Sequence, residues 1–540
     1  MISGATFSPS QVTAIPARID GRIRQDPDPV PIRIRHHICL PFRAMTANPA
    51  SSALLTDLYE LTMALGYWRS GRAEQEAAFH LYFRKAPFDG GYTVACGLDP
   101  ALAYLEGLRF SDEDLSYLAS LTGADDTPLF PPEFLDVLGA MRPSLDVDMV
   151  PEGTVVFANE PLVRVRGPLL QSQLVETALL THIGFPTLIA TKAARVCLAA
   201  RGDEVLEFGL RRAQGPDGGL TASRAAYIGG CSSTSNVLAG QRFGIPVKGT
   251  HAHSWVMVFD TELEAFTVYA DALPNNVVLL VDTYDSLEGV RHAITVGQRL
   301  RARGHRLLGI RLDSGDLAWL SVEARRMLDA AGFTDTSILA SNDLDEHVIA
   351  SLKVQKAAVS VWGVGTRLVT GHDQPALGAV YKLSAVREPD GHWEPRVKVS
   401  EQAAKTTNPG LLQVHRFLET SGDPEAGRYA GDMLVDELEP LPGGERQMVD
   451  PLDPTRRKRF PADAPFEALL RPVMRKGVRV VPEEPLDVAR DRARAQLEGF
   501  HRGIKRLANP HLYPVGLERS LHDRKMAMVL AIRGERGSLP

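Results

Sequence analysis

The chain is poor in cysteine: 540 residues carry only Cys39, Cys96, Cys197 and Cys231, and no two of them form a C-x-x-C pair. Such spacing argues against a disulfide framework or a zinc ribbon and suits a reducing compartment, so a cytoplasmic location is expected. No continuous stretch approaches the ~18 apolar residues needed to span a bilayer, so no membrane partner is expected. Charge of one sign is also scarce, since 60 basic and 66 acidic side chains leave a formal net charge of −6. Without a global basic field, nucleic acid is not an expected partner. Internal repeats and low-complexity tracts are missing too, which excludes a solenoid. Residues 1–44 lack the apolar core of a secretory signal. They are rich in proline and arginine (Pro27, Pro29, Pro31, Arg33, Arg35), without a sustained hydrophobic period. They read as a disordered extension, or as translated upstream sequence with Met45 as the start.

What is present is globular: 44% hydrophobic and 23% charged residues, with length enough for three or four domains. Thr56-Asp57 is a plausible N-cap for a helix through Leu58, Leu61, Leu65 and Trp68. Ala77 to Phe83 alternates as a strand. Short helices are expected over 100–108, through the acidic 110–145 stretch and over 171–180, and residues 154–166 alternate like a β-hairpin. From 185 to 370 short β-branched segments alternate with helical ones: Thr187–Ala190, Val205–Phe208, Val247–Gly249, Val277–Val281, Leu307–Ile310, Ile338–Ala340 and Val359–Trp362. Strands buried on both faces and alternating with helices are the mark of parallel α/β architecture, here an irregular seven-stranded barrel. Beyond Gly410 the chain reads as irregular, with a last helix over 485–507, and the tail is expected to fold back on the N-terminal part.

In such a barrel, function gathers at the C-terminal ends of the strands. Those ends carry a run of polar groups: Glu207 to Arg212, Gly249 to His253, Asp282 to Asp285, Arg311 to Asp316, Ser341 to Asp343, and Gly363 to Thr366. Taken singly, each admits an ordinary structural role. Arg211 and Arg212 are either a surface pair or a fork for phosphate. Gly363-x-Gly365-Thr366 is either a tight turn or a phosphate cradle. Arg311 and Asp313 share one side of a strand, as a salt bridge or as a grip on a sugar. His253, with Asp282 and Asp285 nearby, is either a capped histidine or a nucleophile whose tautomer a carboxylate sets. A His/Asp zinc site competes, but the spacing matches no standard ligand pattern, so no metal ligands are assigned to the protein.

These motifs in their order, with Thr56-Asp57-Leu58-Tyr59-Glu60-Leu61-Thr62-Met63 before them and Val380-Tyr381-Lys382-Leu383, Lys398-x-Ser400 and Lys405-x-x-x-Pro409-Gly410 after them, resemble the motif series of the nicotinate phosphoribosyltransferases. The likeness runs from about residue 52 to 415 and is weak after 420. It implies a type II phosphoribosyltransferase fold: an α/β domain from both chain ends (45–165 with 416–540) and a barrel over 166–415, working as a homodimer. It implies a reaction of nicotinate with phosphoribosyl pyrophosphate, coupled to ATP through a phosphohistidine and assisted by Mg²⁺. By motif, His253 is the phosphorylated residue. Tyr59 from a partner subunit and Phe208 sandwich the pyridine ring. Arg311 lies by that ring, Asp313 at the ribose, Arg211 at phosphate, and Ser341, Asn342, Gly363, Gly365 and Thr366 around the 5′-phosphate, with Ser235 and Thr250 as further binding residues. Ser235 stands where the related nicotinamide-using enzymes carry an aspartate; a neutral hydroxyl there favours the acid over its amide. Asn342 replaces a glycine of many relatives, and asparagine tolerates the left-handed conformation. The rivals are a nicotinamide or quinolinate enzyme on the same scaffold and a non-catalytic phosphate-binding barrel protein. An aldolase-like barrel would need a lysine at a strand end, where only Lys248 comes close.

Overall fold

The computed structural model describes residues 53–402, 405–420, 427–441 and 443–535. The readings made for residues 1–44 and for Met45 lie outside the described residues.

The first helix spans Leu58–Arg69 with Asp57 at its N-cap, but Asp57 makes no cap bond of its own. The Thr177 hydroxyl instead donates to Asp57 Oδ2 at 2.6 Å and to Glu60 Oε1 at 2.8 Å, and the Thr177 N–H donates to Glu60 at 2.9 Å. The Thr-Asp-x-x-Glu spacing therefore clamps this helix to the start of a second one, Glu176–Ala200. Burial pushes the Glu60 carboxyl above its usual range.

Three larger sheets follow. The first has seven strands, all paired antiparallel. Glu76–Phe83 lies in it between Ala379–Arg387 and Val163–Pro168, and Arg471–Arg475 pairs with Asp146–Met149. The second is the parallel sheet, in the order Ser233–Thr234, Glu204–Glu207, Val361–Val364, Ser337–Ala340, Leu307–Leu312, Val277–Leu280. Five of the seven expected barrel strands fall here; a sixth, at Val247, makes only a single parallel bridge to Thr234. The α/β class holds, but Thr187–Ala190 is not a strand. It lies inside the Glu176–Ala200 helix, where Thr187, Leu188, Ile189 and Ala190 are all buried. An apolar run buried on every side loses the polar face that reveals a helical period. Its hydroxyls serve the neighbouring backbone: Thr187 and Thr191 accept from the N–H groups of Cys96 and Val94 at 3.1 and 3.0 Å. The helical segment Leu169–Ala200 is long and apolar enough to cross a membrane by length and composition, yet 61% of its most apolar window is buried in the protein.

Two further expectations are corrected. Residues 154–166 are not a hairpin: Val155–Val156 pairs with Thr93–Val94, whereas Val163–Pro168 joins the large antiparallel sheet. The chain after Gly410 is not irregular either. Leu412–Leu418, Tyr429–Asp436, Arg446–Val449, Arg457–Phe460, Phe466–Ala468 and Val515–Glu518 form a third sheet of six strands. Buried Arg416 sits in it, gripping Asp432 at 2.6 Å beside three aromatic rings. The last long helices run over Leu486–Gly499 and Arg519–Glu535.

Candidate active site at the strand ends

The parallel sheet ends in a shared polar nest. Leu307–Leu312 delivers Arg311 to it, and the turn after the strand delivers Asp313. Arg311 Nη2 donates to Asp313 Oδ1 at 2.9 Å and its Nε to Ser341 Oγ at 2.8 Å, while the Ser341 hydroxyl also donates to Asp313. Burial alone would raise the Asp313 carboxyl; the Ser341 hydrogen bond and the Arg311 charge outweigh it and hold the group below the usual carboxylate range. It is therefore an anion at neutral pH.

His253, the first residue of the short helix His253–Met257, closes the nest. Its Nε2 lies 3.7 Å from Asp313 Oδ2 and 3.9 Å from Asp282 Oδ1, and its Nδ1 is 3.1 Å from the Thr283 hydroxyl. Asp282 is buried; its Oδ2 accepts from the Asp313 N–H and the Ser314 hydroxyl, both at 2.7 Å. Its Oδ1 has no hydrogen-bond partner among the described residues. Asp285, also considered as a partner of the histidine, is used differently: it caps the helix Ser286–Ala302 through the Glu288 N–H.

Phe208 forms a second wall. Its ring lies 5.9 Å from the Arg311 guanidinium, and its N–H donates to Val364 O at 2.8 Å. Gly363 and Gly365 make room for it: a Cβ at 363 would meet the ring at 2.8 Å, and one at 365 would meet the Phe208 carbonyl at 3.1 Å. Asn342 takes φ +88° and Asp343 φ +39°, so the Ser341-Asn342-Asp343 turn is left-handed where glycine is the easier residue. Ser235 is set beside the nest by its N–H bond to Glu207 O at 2.9 Å. The Thr250 hydroxyl turns to the Val278 carbonyl at 2.5 Å. Arg211 is exposed on the short turn Leu210–Arg212, and Thr366 starts the next one, Thr366–Val369. Tyr59 stands on the first helix, 46% exposed, with its hydroxyl pushed up to about 12 by partial burial and then by Glu176 and Glu60.

Two residues that hold this nest were given no role from sequence. Glu207 is almost fully buried behind Phe208; it accepts from the Gly209 N–H, from the Ser223 hydroxyl at 2.8 Å and from the Thr234 hydroxyl at 2.5 Å. A glutamate at the last position of an apolar strand was the available signal. Asp345 caps the helix Glu346–Val354: its Oδ1 accepts from the His347 and Val348 N–H groups at 2.9 and 2.8 Å, and its Oδ2 pairs with Arg367 at 2.5 Å. It thereby links the helix that follows the 341–343 turn to Arg367 on the short helix that follows Gly365.

Family comparisons bear on this arrangement. Three family models match in succession: the nicotinate phosphoribosyltransferase N-terminal domain over residues 54–184, the nicotinate phosphoribosyltransferase family over 204–416, and its C-terminal domain over 413–525. A curated relative from Bacillus subtilis (strain 168), named nicotinate phosphoribosyltransferase, is 43% identical over 487 residues, spanning 89% of this chain and 96% of the relative. The chain belongs to the nicotinate phosphoribosyltransferase family. The Homo sapiens relative of the same name is 37% identical over 531 residues, covering 88% of this chain and 96% of its own. The crystal structure of human nicotinic acid phosphoribosyltransferase superposes with a TM-score of 0.75 at 34% identity, covering 88% of this chain and 99% of that one. A nicotinate-nucleotide pyrophosphorylase from Pyrococcus furiosus shares the fold, with a TM-score of 0.64 at 23% identity over 85% of this chain and 98% of that one. The phosphoribosyltransferase family match spans every strand end of the nest, from Glu207 to Thr366.

Proposed function

We propose that this chain joins nicotinate to phosphoribosyl pyrophosphate, forming nicotinate mononucleotide and pyrophosphate, and so begins NAD salvage from nicotinate. The observation that carries the reading is the approach of His253 Nε2 to Asp313 Oδ2, 3.7 Å, beside Arg311, Ser341 and Phe208. The pyridine nitrogen is itself the nucleophile. It attacks C1 of the ribose as the bond to pyrophosphate breaks, so the barrier lies in charge separation. Asp313, held ionised, faces the developing positive sugar. Phe208 offers its face to the pyridine ring, and Arg311 supplies a cation for the nicotinate carboxylate. Arg211 serves the phosphates, and the 341–343 and 363–366 turns serve the 5′-phosphate. Ser235 selects the acid over the amide.

ATP coupling through His253 belongs to the same proposal: an imidazole nitrogen takes the γ-phosphoryl group, its bond to ADP breaks, and ADP leaves. Mg²⁺ is the expected cofactor. Among the described residues no group of three or more His, Cys, Asp or Glu is arranged to hold a metal ion. The unpartnered Asp282 oxygen fits a cation held by one or two carboxylates, Asp282 and Asp313, with phosphate and water completing the shell. A cation there would offset charge on the departing pyrophosphate. Val247, bridged to Thr234, supports its counting as the seventh strand of an irregular barrel. A cytoplasmic homodimer is proposed in which Tyr59 of one copy faces the strand ends of the other. The exposed Leu58, Tyr59 and Met63 on one side, and Val258 and Tyr284 beside the strand ends, support it.

The test mixes purified protein with phosphoribosyl pyrophosphate, ATP and Mg²⁺, and offers nicotinate, nicotinamide or quinolinate in parallel. Nicotinate mononucleotide should appear by mass spectrometry and dominate, and Ser235→Asp should erode that preference. No product from nicotinate overturns the proposal.

A further inference from the structure

A cavity of about 830 Å³ lies away from the strand ends, and none of the residues of the nest lines it. It opens between the turn after Glu76–Phe83, which supplies Arg84 and Lys85, and the third sheet, which supplies Arg457 and Lys458 with Arg456 just before them. Against these five cations stand two carboxylates, Asp89 and Asp450. Asp89 is already paired with Lys85 at 2.9 Å. Arg456 reaches Asp453 at 3.3 Å from a 66% exposed position, a weak surface pair. Arg84 Nε is buried and has no hydrogen-bond partner among the described residues. Beneath the wall, the Lys525 ammonium donates to the Asn408 amide oxygen at 2.7 Å, and Asn408 lines the cavity. Arg506 adds a further cation to an adjoining recess that Arg456 shares.

Positive charge concentrated in a concave wall focuses the field and attracts a polyanion. The volume is that of a site for a drug-sized ligand. The rim is not polar throughout: Leu452 and Leu512, 61% and 70% exposed, line it together with Pro510. Exposed apolar side chains beside Arg84, Arg457 and Lys458, which make no ion pair among the described residues although the Lys458 ammonium donates to Ala430 O at 2.6 Å, suit a ligand that is part flat ring and part phosphate. A single phosphate would leave most of these cations unanswered.

We propose that this cavity is a second ligand site that takes a nucleoside di- or triphosphate, separate from the strand-end nest. It does not depend on what the nest catalyses. The probe is 8-azido-ATP, photolysed with the full-length protein and followed by peptide mapping. Label is expected on peptides from residues 446–460 or 506–517, and an excess of inorganic tripolyphosphate should compete for it. The double variant Arg456→Glu/Arg457→Glu should reduce that label at least fivefold while leaving any label on strand-end peptides unchanged. Both side chains are exposed, so the melting temperature should hold; if it does not, Arg84→Gln carries the same comparison. Label confined to strand-end peptides, or cavity label undiminished in the variants, overturns the proposal.

Discussion

Replacing Gly363 by alanine asks whether Phe208 is the platform for the pyridine ring. A Cβ at position 363 would lie 2.8 Å from Phe208 Cδ2, 3.0 Å from Cε2 and 3.5 Å from Ser341 Cβ. Ordinary contact begins at 3.4 Å, so the ring must give way by roughly 0.6 Å. The backbone cannot follow, because the Phe208 N–H is bound to Val364 O and Val369 closes on Gly209 behind it. The ring therefore turns out of the position it needs for stacking. An aromatic pair contributes about 0.5–1.5 kcal/mol beyond its buried area. Losing it should raise the KM for nicotinate roughly two- to thirteenfold. The KM for phosphoribosyl pyrophosphate should move less, since Ser341 Cβ stays at ordinary contact distance. Overpacking should also cost about 1–3 kcal/mol of stability, read from urea unfolding. Initial rates with each substrate varied in turn make the measurement. A folded variant with an unchanged nicotinate KM, or one in which only the phosphoribosyl pyrophosphate KM rises, would refute the reasoning.

His253→Ala should abolish ATP hydrolysis coupled to turnover yet leave slow ATP-independent synthesis of the mononucleotide; loss of both with the fold intact counts against the proposed division of roles. Asp345→Asn removes a charge from a helix start and turns an N–H toward Arg367. It should cost about 2–3 kcal/mol in urea unfolding and raise the KM for phosphoribosyl pyrophosphate severalfold with the nicotinate KM steady; a rise in both equally would point to general loosening. Burial lowers the Lys525 ammonium from its ordinary 10.5 to about 8, so the unfolded chain binds the extra proton between those two values. Unfolding free energy from this group should thus rise with pH across that window, by about 3 kcal/mol, with the penalty full below pH 8. Lys525→Met should flatten the rise; an identical pH profile in both proteins would show that the lysine is not desolvated.

What the amino-acid order alone made legible was local. Thr56 to Glu60 opens a helix, and Arg311 to Asp313, Ser341 to Asp343 and Gly363 to Thr366 are short polar groups at the ends of apolar strands; a helix start or a strand end can be read from the few residues around it. The left-handed turn at Asn342 was expected through the resemblance, because asparagine stands there where many relatives have glycine. Whatever depends on partners far along the chain was not legible. The helix containing Thr187–Ala190 is apolar on every face because other elements cover it, so its period is hidden. The strand Val515–Glu518 lies parallel to Tyr429–Asp436 and antiparallel to Arg446–Val449, a pairing no local pattern records. Glu207 has its function from hydroxyls at 223 and 234, and Asp345 from a guanidinium at 367. Side-chain type and backbone preference are set residue by residue and survive in a string of letters. Burial and pairing are properties of the space around a residue, and only the folded chain decides what fills it.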